Sequence, residues 1–327
     1  MKRPVSLVGF AALAIASCIV PGMSVAQDYP NRPIKLIIPF APGGTTDLVG
    51  RIYAQALQER LGQPVLVDNR PGAGSQIGTD AGAKAVPDGY TLLFGPADGL
   101  SIIPAMKKKV PYDPNKDFTP ISMVATSPMV FVVNAQVPAN SLAELIAYAK
   151  ARPDTIRYAS AGVGSILHLT MALLGTNQGL QMVHVPYKGG GPALNDLIAG
   201  QVDMMAGGPA TAAKHVDSGR VRILAQTGRS RHPMIAGAPT TAELGYRGIA
   251  VESWFGLLGP LGLPQPIVER LLRETNAVLD QAAVKQRFID AGCIAAPAGP
   301  AEFAQFIAEE NRKWSQVVKA AGIPPQD

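Results

Sequence analysis

A chain of 327 residues, 47% hydrophobic and 16% charged, is long for one domain and comfortable for two lobes with full cores. Its formal charge of +5 is dispersed, with no basic run beyond Lys107-Lys108-Lys109, which excludes a nucleic-acid partner. The two cysteines, Cys18 and Cys293, build no internal disulfide framework, and no apolar stretch after residue 26 is long enough to cross a bilayer.

Lys2 and Arg3 precede an apolar run from Val5 to Val20, followed by Ser24-Val25-Ala26. This is the pattern of a secretory signal, so residues 1–26 are set aside from the fold. Ile15-Ala16-Ser17-Cys18 also fits a lipoprotein cleavage box, which would leave a lipid anchor at Cys18. The fit of Ser-Val-Ala to the ordinary cleavage pattern favours free export.

From there, short β-branched runs alternate with helix-length amphipathic segments, which predicts an α/β fold with parallel strands and crossover helices. Ile34 to Phe40 reads as a strand, Thr46 to Leu61 as a helix stopped by Gly62, and Val65–Val67 and Tyr90–Phe94 as strands. Ser141 and Glu144 form a capping box that opens a helix after the strand Met129–Val133. Further strands are expected at Ile156–Ala159, Met182–Val185, Val202–Met205 and Val221–Ala225. The passages Phe118–Val133 and Glu252–Leu258 lack the helix expected between parallel neighbours and read as two crossings between lobes. The expected organisation is therefore a first lobe from residues 27–129 and 250–327, with a second lobe, residues 130–249, inserted into it.

Three glycine-bearing turns share one structural address, the carboxyl end of a strand and the amino end of a helix. They are "IIPFAPGGTTD", "AGVGSILH" after "RYAS", and "PYKGGGPALNDL" after "MVHV". Ligands bind along that edge of open α/β sheets, and the free N–H groups and dipole of a helix head suit an anion without help from arginine. The first two loops contain no Lys or Arg, so recognition falls to main-chain donors and the hydroxyls of Thr45, Thr46 and Ser165. Lys188, the lone cation of the set, reads as solvated more readily than ligand-bound.

Other residues of these loops have plainer roles available. Asp47 caps its own helix more readily than it meets an anion, because its charge repels one. His168 can donate to a ligand or pack beneath the loop, and the pattern leaves both open. Phe40 and Tyr187 are either cleft walls or core.

Catalytic and metal readings find little support. In "PGAGSQIG" the glycines at 72, 74 and 78 miss the dinucleotide spacing, and no acidic residue ends the second strand. No serine sits in a nucleophile elbow. His168, His184, His215 and His232 lack metal-ligand pairing, and no cofactor is implied. An exported, two-lobed chain with anion-suited loops and no catalytic set reads as a solute receptor.

The stretches "PFAPGGTTD", "NRPGAGSQIG", "PDGYTLL", "PYDPNKDFTPIS", "VPYKGGGPALNDLIAGQVD", "APTTAELGY" and "WFGLLGP" occur in the order typical of Bug-type receptors. The chain resembles these extracytoplasmic substrate-binding proteins of tripartite tricarboxylate transporters over nearly its whole mature length. The resemblance implies a type II periplasmic-binding-protein fold, two lobes closing on a small carboxylic acid, and docking of the closed form on a membrane permease. It implies ligand contacts from Phe40, Gly43, Gly44, Thr45 and Asp47 on one lobe, through main-chain and water-mediated bonds, and from Ser165, His168, Tyr187 and Gly189 on the other. Thr46, Ala161 and Gly164 complete the expected loops. The sequence departs from the family at Asp98, which either disfavours a dianion and meets an amino group or hydroxyl, or caps a helix at Gly99. It departs again at Gly207-Gly208-Pro209, a candidate specificity segment. A periplasmic monomer is expected; a receptor presenting ligand to a sensor kinase and an exported enzyme are the alternatives.

Overall fold

The computed structural model describes residues 29–187, 189–216 and 218–325. The signal segment, Cys18 and Lys188 lie outside the described residues. In chain order the strands are β1 (Ile34–Ile38), β2 (Val65–Asn69), β3 (Thr91–Pro96), β4 (Phe118–Pro128), β5 (Val130–Asn134), β6 (Arg157–Ser160), β7 (Val183–Pro186), β8 (Met204–Gly207), β9 (Val221–Gln226), β10 (Glu252–Pro260) and β11 (Ile294–Ala298). The helices are α1 (Thr45–Leu61), α2 (Gln76–Ala83), α3 (Ile103–Met106), α4 (Leu142–Lys150), α5 (Ile166–Gln178), α6 (Gly190–Ile198), α7 (Pro209–Val216), α8 (Gln265–Leu279), α9 (Ala282–Asp290) and α10 (Pro300–Ala320).

The strands form two sheets, one per lobe. The first has the order β11-β4-β10-β3-β1-β2, and the second β7-β6-β8-β5-β9. In the first, β1 runs parallel to both β2 and β3, whereas β10 is antiparallel to β3 and β4. In the second, β6 runs parallel to β7 and β8, and β5 is antiparallel to β8 and β9.

Each sheet is covered on both faces, and the strands show it residue by residue. Ile34, Leu36 and Ile38 of β1 enter the core beneath α1, α8 and α9, while Ile37 enters the core beneath α10. On β5, Phe131 and Val133 face one core and Val130 and Val132 the other. A strand buried on both sides reads as an unbroken apolar run because alternate side chains have no solvent face to serve. Close packing also fixes Gly256 of β10, where an added Cβ would sit 2.1 Å from the Phe303 ring.

The helix signals act locally as their residue types predict. Gly62 ends α1 in the left-handed region at φ 68°. Ser141 Oγ accepts the Glu144 N–H at 3.1 Å, and Glu144 reaches back to the Asn140 N–H at 2.7 Å. Several strands are displaced by one or two residues from expectation; β1, for example, stops before Pro39 because proline cannot donate to the ladder. The β-rich passage Phe118–Val133 divides at Met129 into β4 and β5, and the strand expected at Met129–Val133 is β5, one residue further on.

The chain passes between the sheets at Pro128–Val130 and again between β9 and β10. Thr227 ties the two passages together. Its N–H donates to the Met129 carbonyl at 2.9 Å, its Oγ1 accepts the Met129 N–H at 2.9 Å, and its hydroxyl donates to Val251 O. Beside this junction Ile102 and Met106 of the first lobe pack with Ile166 and Leu169 of the second, along with Trp314. No helix of the described residues is long and apolar enough to cross a membrane.

Candidate functional site

The heads of α1, α5 and α6 converge on one cleft of about 860 Å³ between the lobes, a volume typical of small-molecule sites. Phe40, Gly43, Gly44, Thr45, Thr46 and Asp98 line it from one side. Ala161, Gly164, Ser165, Gly189 and Gly207 line it from the other. Asp47, His168 and Tyr187 do not line it, and each has a structural partner instead.

Asp47 is the strap of the first loop. Its carboxylate accepts the Gly43 N–H at 3.0 Å, the Arg51 guanidinium at 2.9 Å and the Asn69 amide at 2.8 Å, and it is 4% exposed. Asn69 also donates to the Phe40 carbonyl at 2.9 Å, so β2 holds the loop at both ends. Burial opposes ionisation of Asp47, but the hydrogen bonds from Arg51, Gly43 and Asn69 outweigh it and hold the carboxyl below its usual range. Gly43 adopts φ 94°, which lets the loop turn sharply enough to point its next amides outward. Gly44, Thr45 and Thr46 keep N–H groups with no partner among the described residues, at the positive end of a 17-residue helix.

The second loop is built differently. Ser165 is the N-cap of α5: its Oγ accepts the His168 N–H at 3.2 Å and donates to the Gly162 carbonyl at 2.8 Å. Gly164, at φ 80°, donates its N–H to His168 Nδ1 at 3.1 Å. His168 therefore packs beneath the loop, carrying its ring proton on Nε2. It stacks on His184 with ring centroids 4.0 Å apart, and His184 pairs with Ser160 Oγ at 2.7 Å. Burial and the neighbouring imidazole push His168 down to about 4, so it is neutral in the folded protein at neutral pH. Tyr187 donates to Asp196 at 2.7 Å, pinning the third loop to α6.

Asp98 follows β3 as the first residue of a single π-type turn, Asp98–Ile102, whose N-cap is Ala97 without a side-chain cap. A position inside the turn rules out the capping role at Gly99. Asp98 instead lines the cleft, with its carboxyl in electrostatic reach of the Ile166 N–H at the head of α5. Burial pushes its pKa up to about 6 against the pull of its hydrogen bonds from its own and the Ile166 N–H groups. Among the described lining residues it is the one ionisable side chain.

Residues not expected from the sequence also line the cleft: Gly74, Ile103, Ser127, Met129, Ser253 and Phe255. Ser127 and Ser253 lie opposite each other on paired β4 and β10, at the lobe crossing. The expected crossings were the available signal for them. No group of three His, Cys, Asp or Glu among the described residues could hold a metal ion.

Residues 49–323 match the family described as the tripartite tricarboxylate transporter family receptor. The chain belongs to this family. The receptor is 38% identical to protein BugT of Bordetella pertussis over 98% of both chains. Among solved structures it is similar to the periplasmic binding protein BugD, with 36% identity, a TM-score of 0.78 and coverage of 91% of this chain and 100% of that one. It is also similar to an R. palustris protein solved with adipate, at 34% identity and a TM-score of 0.82 over 91% of this chain and 100% of that one. The two-lobed architecture is that of these periplasmic binding proteins, and the family consists of solute-binding receptors.

Proposed function

We propose that the receptor binds a small organic carboxylate in the cleft, closes its lobes around it, and delivers it from the periplasm to the permease of a tripartite transporter. The observation that carries this is the head of α1, where the N–H groups of Gly44, Thr45 and Thr46 open unpartnered into a cleft without a cationic side chain among its described lining residues. A carboxylate satisfies those donors and the helix dipole together. The adipate held by a relative supports the same ligand class.

Closure follows if the ligand binds the closed arrangement better than the open one, with Thr227 joining the two strands that must flex. Micromolar affinity needs about −8 kcal/mol, within reach of several contacts of roughly 0.5–2 kcal/mol each plus apolar burial against Phe40 and Phe255. The described cleft lining assembles no nucleophile, base and orienting group, which supports binding without turnover. The receptor acts as a monomer.

Thermal melting of refolded, ligand-stripped mature protein against mono-, di-, tri- and aromatic carboxylates and amino acids tests the proposal. Ligand bound only to the native state raises the melting temperature. A rise for one chemical group is expected. A folded protein silent across the whole panel, or one that converts the acid it binds, would overturn the reading.

A further inference from the structure

The two helix heads that face each other across the cleft are chemically unlike. At α1 the amides of Gly44, Thr45 and Thr46 are uncommitted among the described residues. At α5 two of them are spent, Gly164 N–H on His168 Nδ1 and Ser165 N–H on the Gly162 carbonyl, and the Asp98 carboxyl lies in electrostatic reach of the next, the Ile166 N–H. An internal carboxylate thus stands where an anion drawn to α5 would stand. The cleft lining combines the α1 donors, one acidic side chain, Asp98, and apolar side chains from Phe40, Ile103, Met129 and Phe255.

A ligand with one carboxylate can place it at the α1 amides. A second carboxylate held in the same cleft would meet Asp98 with no Lys, Arg or His among the described lining residues to offset the repulsion. An ammonium or hydroxyl group there would donate to the same oxygens and convert a repulsion into a charge-assisted bond. We infer that the receptor selects an acid bearing one carboxylate and a second, hydrogen-bond-donating group that pairs with Asp98, and that it discriminates against dicarboxylates. Asp98 is then its specificity-determining residue. The inference rests on the carboxylate-receptor reading and gives that reading a ligand class.

Calorimetric titration at neutral pH, on the stripped mature protein and its Asp98→Asn variant, tests it with chain-matched sets. The probes are α-amino acids and ω-amino acids from β-alanine upward, each with its hydroxy-acid, alkanoate and dicarboxylate counterpart. The expected result is binding of a donor-bearing acid about tenfold or more tighter than its dicarboxylate match, with that ratio collapsing in Asp98→Asn. If the partner group is ammonium, the variant loses most for the amino acids. If it is hydroxyl, the asparagine amide still accepts and the hydroxy acids lose less. Asp98→Ser, checked for fold by circular dichroism, serves if the asparagine variant does not fold. A dicarboxylate that binds as tightly as its donor-bearing match, or a ratio unchanged in both variants, overturns the inference and leaves the receptor reading standing. Silence for every acid overturns both.

Discussion

His168 and His184 lie face to face beneath the second binding loop, their rings 4.0 Å apart and within 6° of parallel. The Gly164 N–H depends on one of them, since it donates to His168 Nδ1 only while that nitrogen is unprotonated. Both imidazoles are held below their ordinary value by burial, His168 at about 4 with His184 adding to the effect.

Acid should therefore unlock this loop before it unfolds the protein. A histidine whose folded pKa is depressed binds fewer protons folded than unfolded, so stability is lost as pH falls from about 6.5 through about 4. The loss for His168 is on the order of 3 kcal/mol when complete. NMR titration of the imidazole protons would show it directly; a His168 midpoint at 6 or above is incompatible with the stack as a locked, neutral pair.

Asp98 bends the same curve the other way. An acid whose folded pKa is raised holds its proton better folded, so its contribution falls as pH rises from 3.8 through about 6 and is fully unfavourable above that. Asp98→Asn removes the penalty. The ligand-free variant should melt higher than the parent at neutral pH, by the equivalent of about 1–3 kcal/mol, and the gain should vanish below the unfolded-state value. A variant that melts lower at neutral pH would mean the carboxylate stabilises the closed lobes.

Gly44→Val separates binding from folding. An added Cβ at Gly44 meets nothing within 4 Å, and its φ of −83° suits any residue. Stability should change by no more than about 0.5 kcal/mol, as for an unstrained surface change. The branched side chain would stand over the α1 head and block main-chain approach, so affinity for the cognate acid should fall about a hundredfold or more. Gly43→Val, forced to φ 94°, should instead cost stability of roughly 1–2 kcal/mol. Unchanged affinity in folded Gly44→Val would place the ligand elsewhere.

Cys293 offers a control on global integrity. Its thiol is fully buried and pushed up to about 12 by that burial. Thiol reagents should leave it untouched in native protein and modify it at the rate of unfolding; modification in the folded state would reveal local opening around β11.

The glycine loops were legible from the sequence because their signals are local: glycines at a strand-to-helix turn, joined in the second loop by the capping Ser165. Sheet pairing was partly legible, since Ile34, Leu36, Ile37 and Ile38 announce a strand covered on both faces. β11 was not, because Ile294-Ala-Ala-Pro-Ala298 lacks a β-branched run and is a strand only through its pairing with β4. Ser127, Ser253 and Phe255 reach the cleft through the antiparallel register of β4 and β10, a long-range relation with no local trace. The opposition of Asp98 to Ile166 and of His168 to His184 likewise depends on how separate segments meet. The choice between a ligand-facing and a buried His168 needed that meeting.

The head of α1 has a longer consequence. Its donors belong to the peptide backbone, which every residue except proline supplies, so they are encoded in the path of the chain and not in side-chain identity. Mutation at Thr45 or Thr46 can change size and hydroxyl content without removing an amide. The anion-suited part of the cleft is thereby buffered against substitution, while a single exchange at Asp98 removes the one ionisable side chain among the described lining residues. A fold arranged this way can shift from one solute to another by one-residue steps without first losing its grip on the shared group.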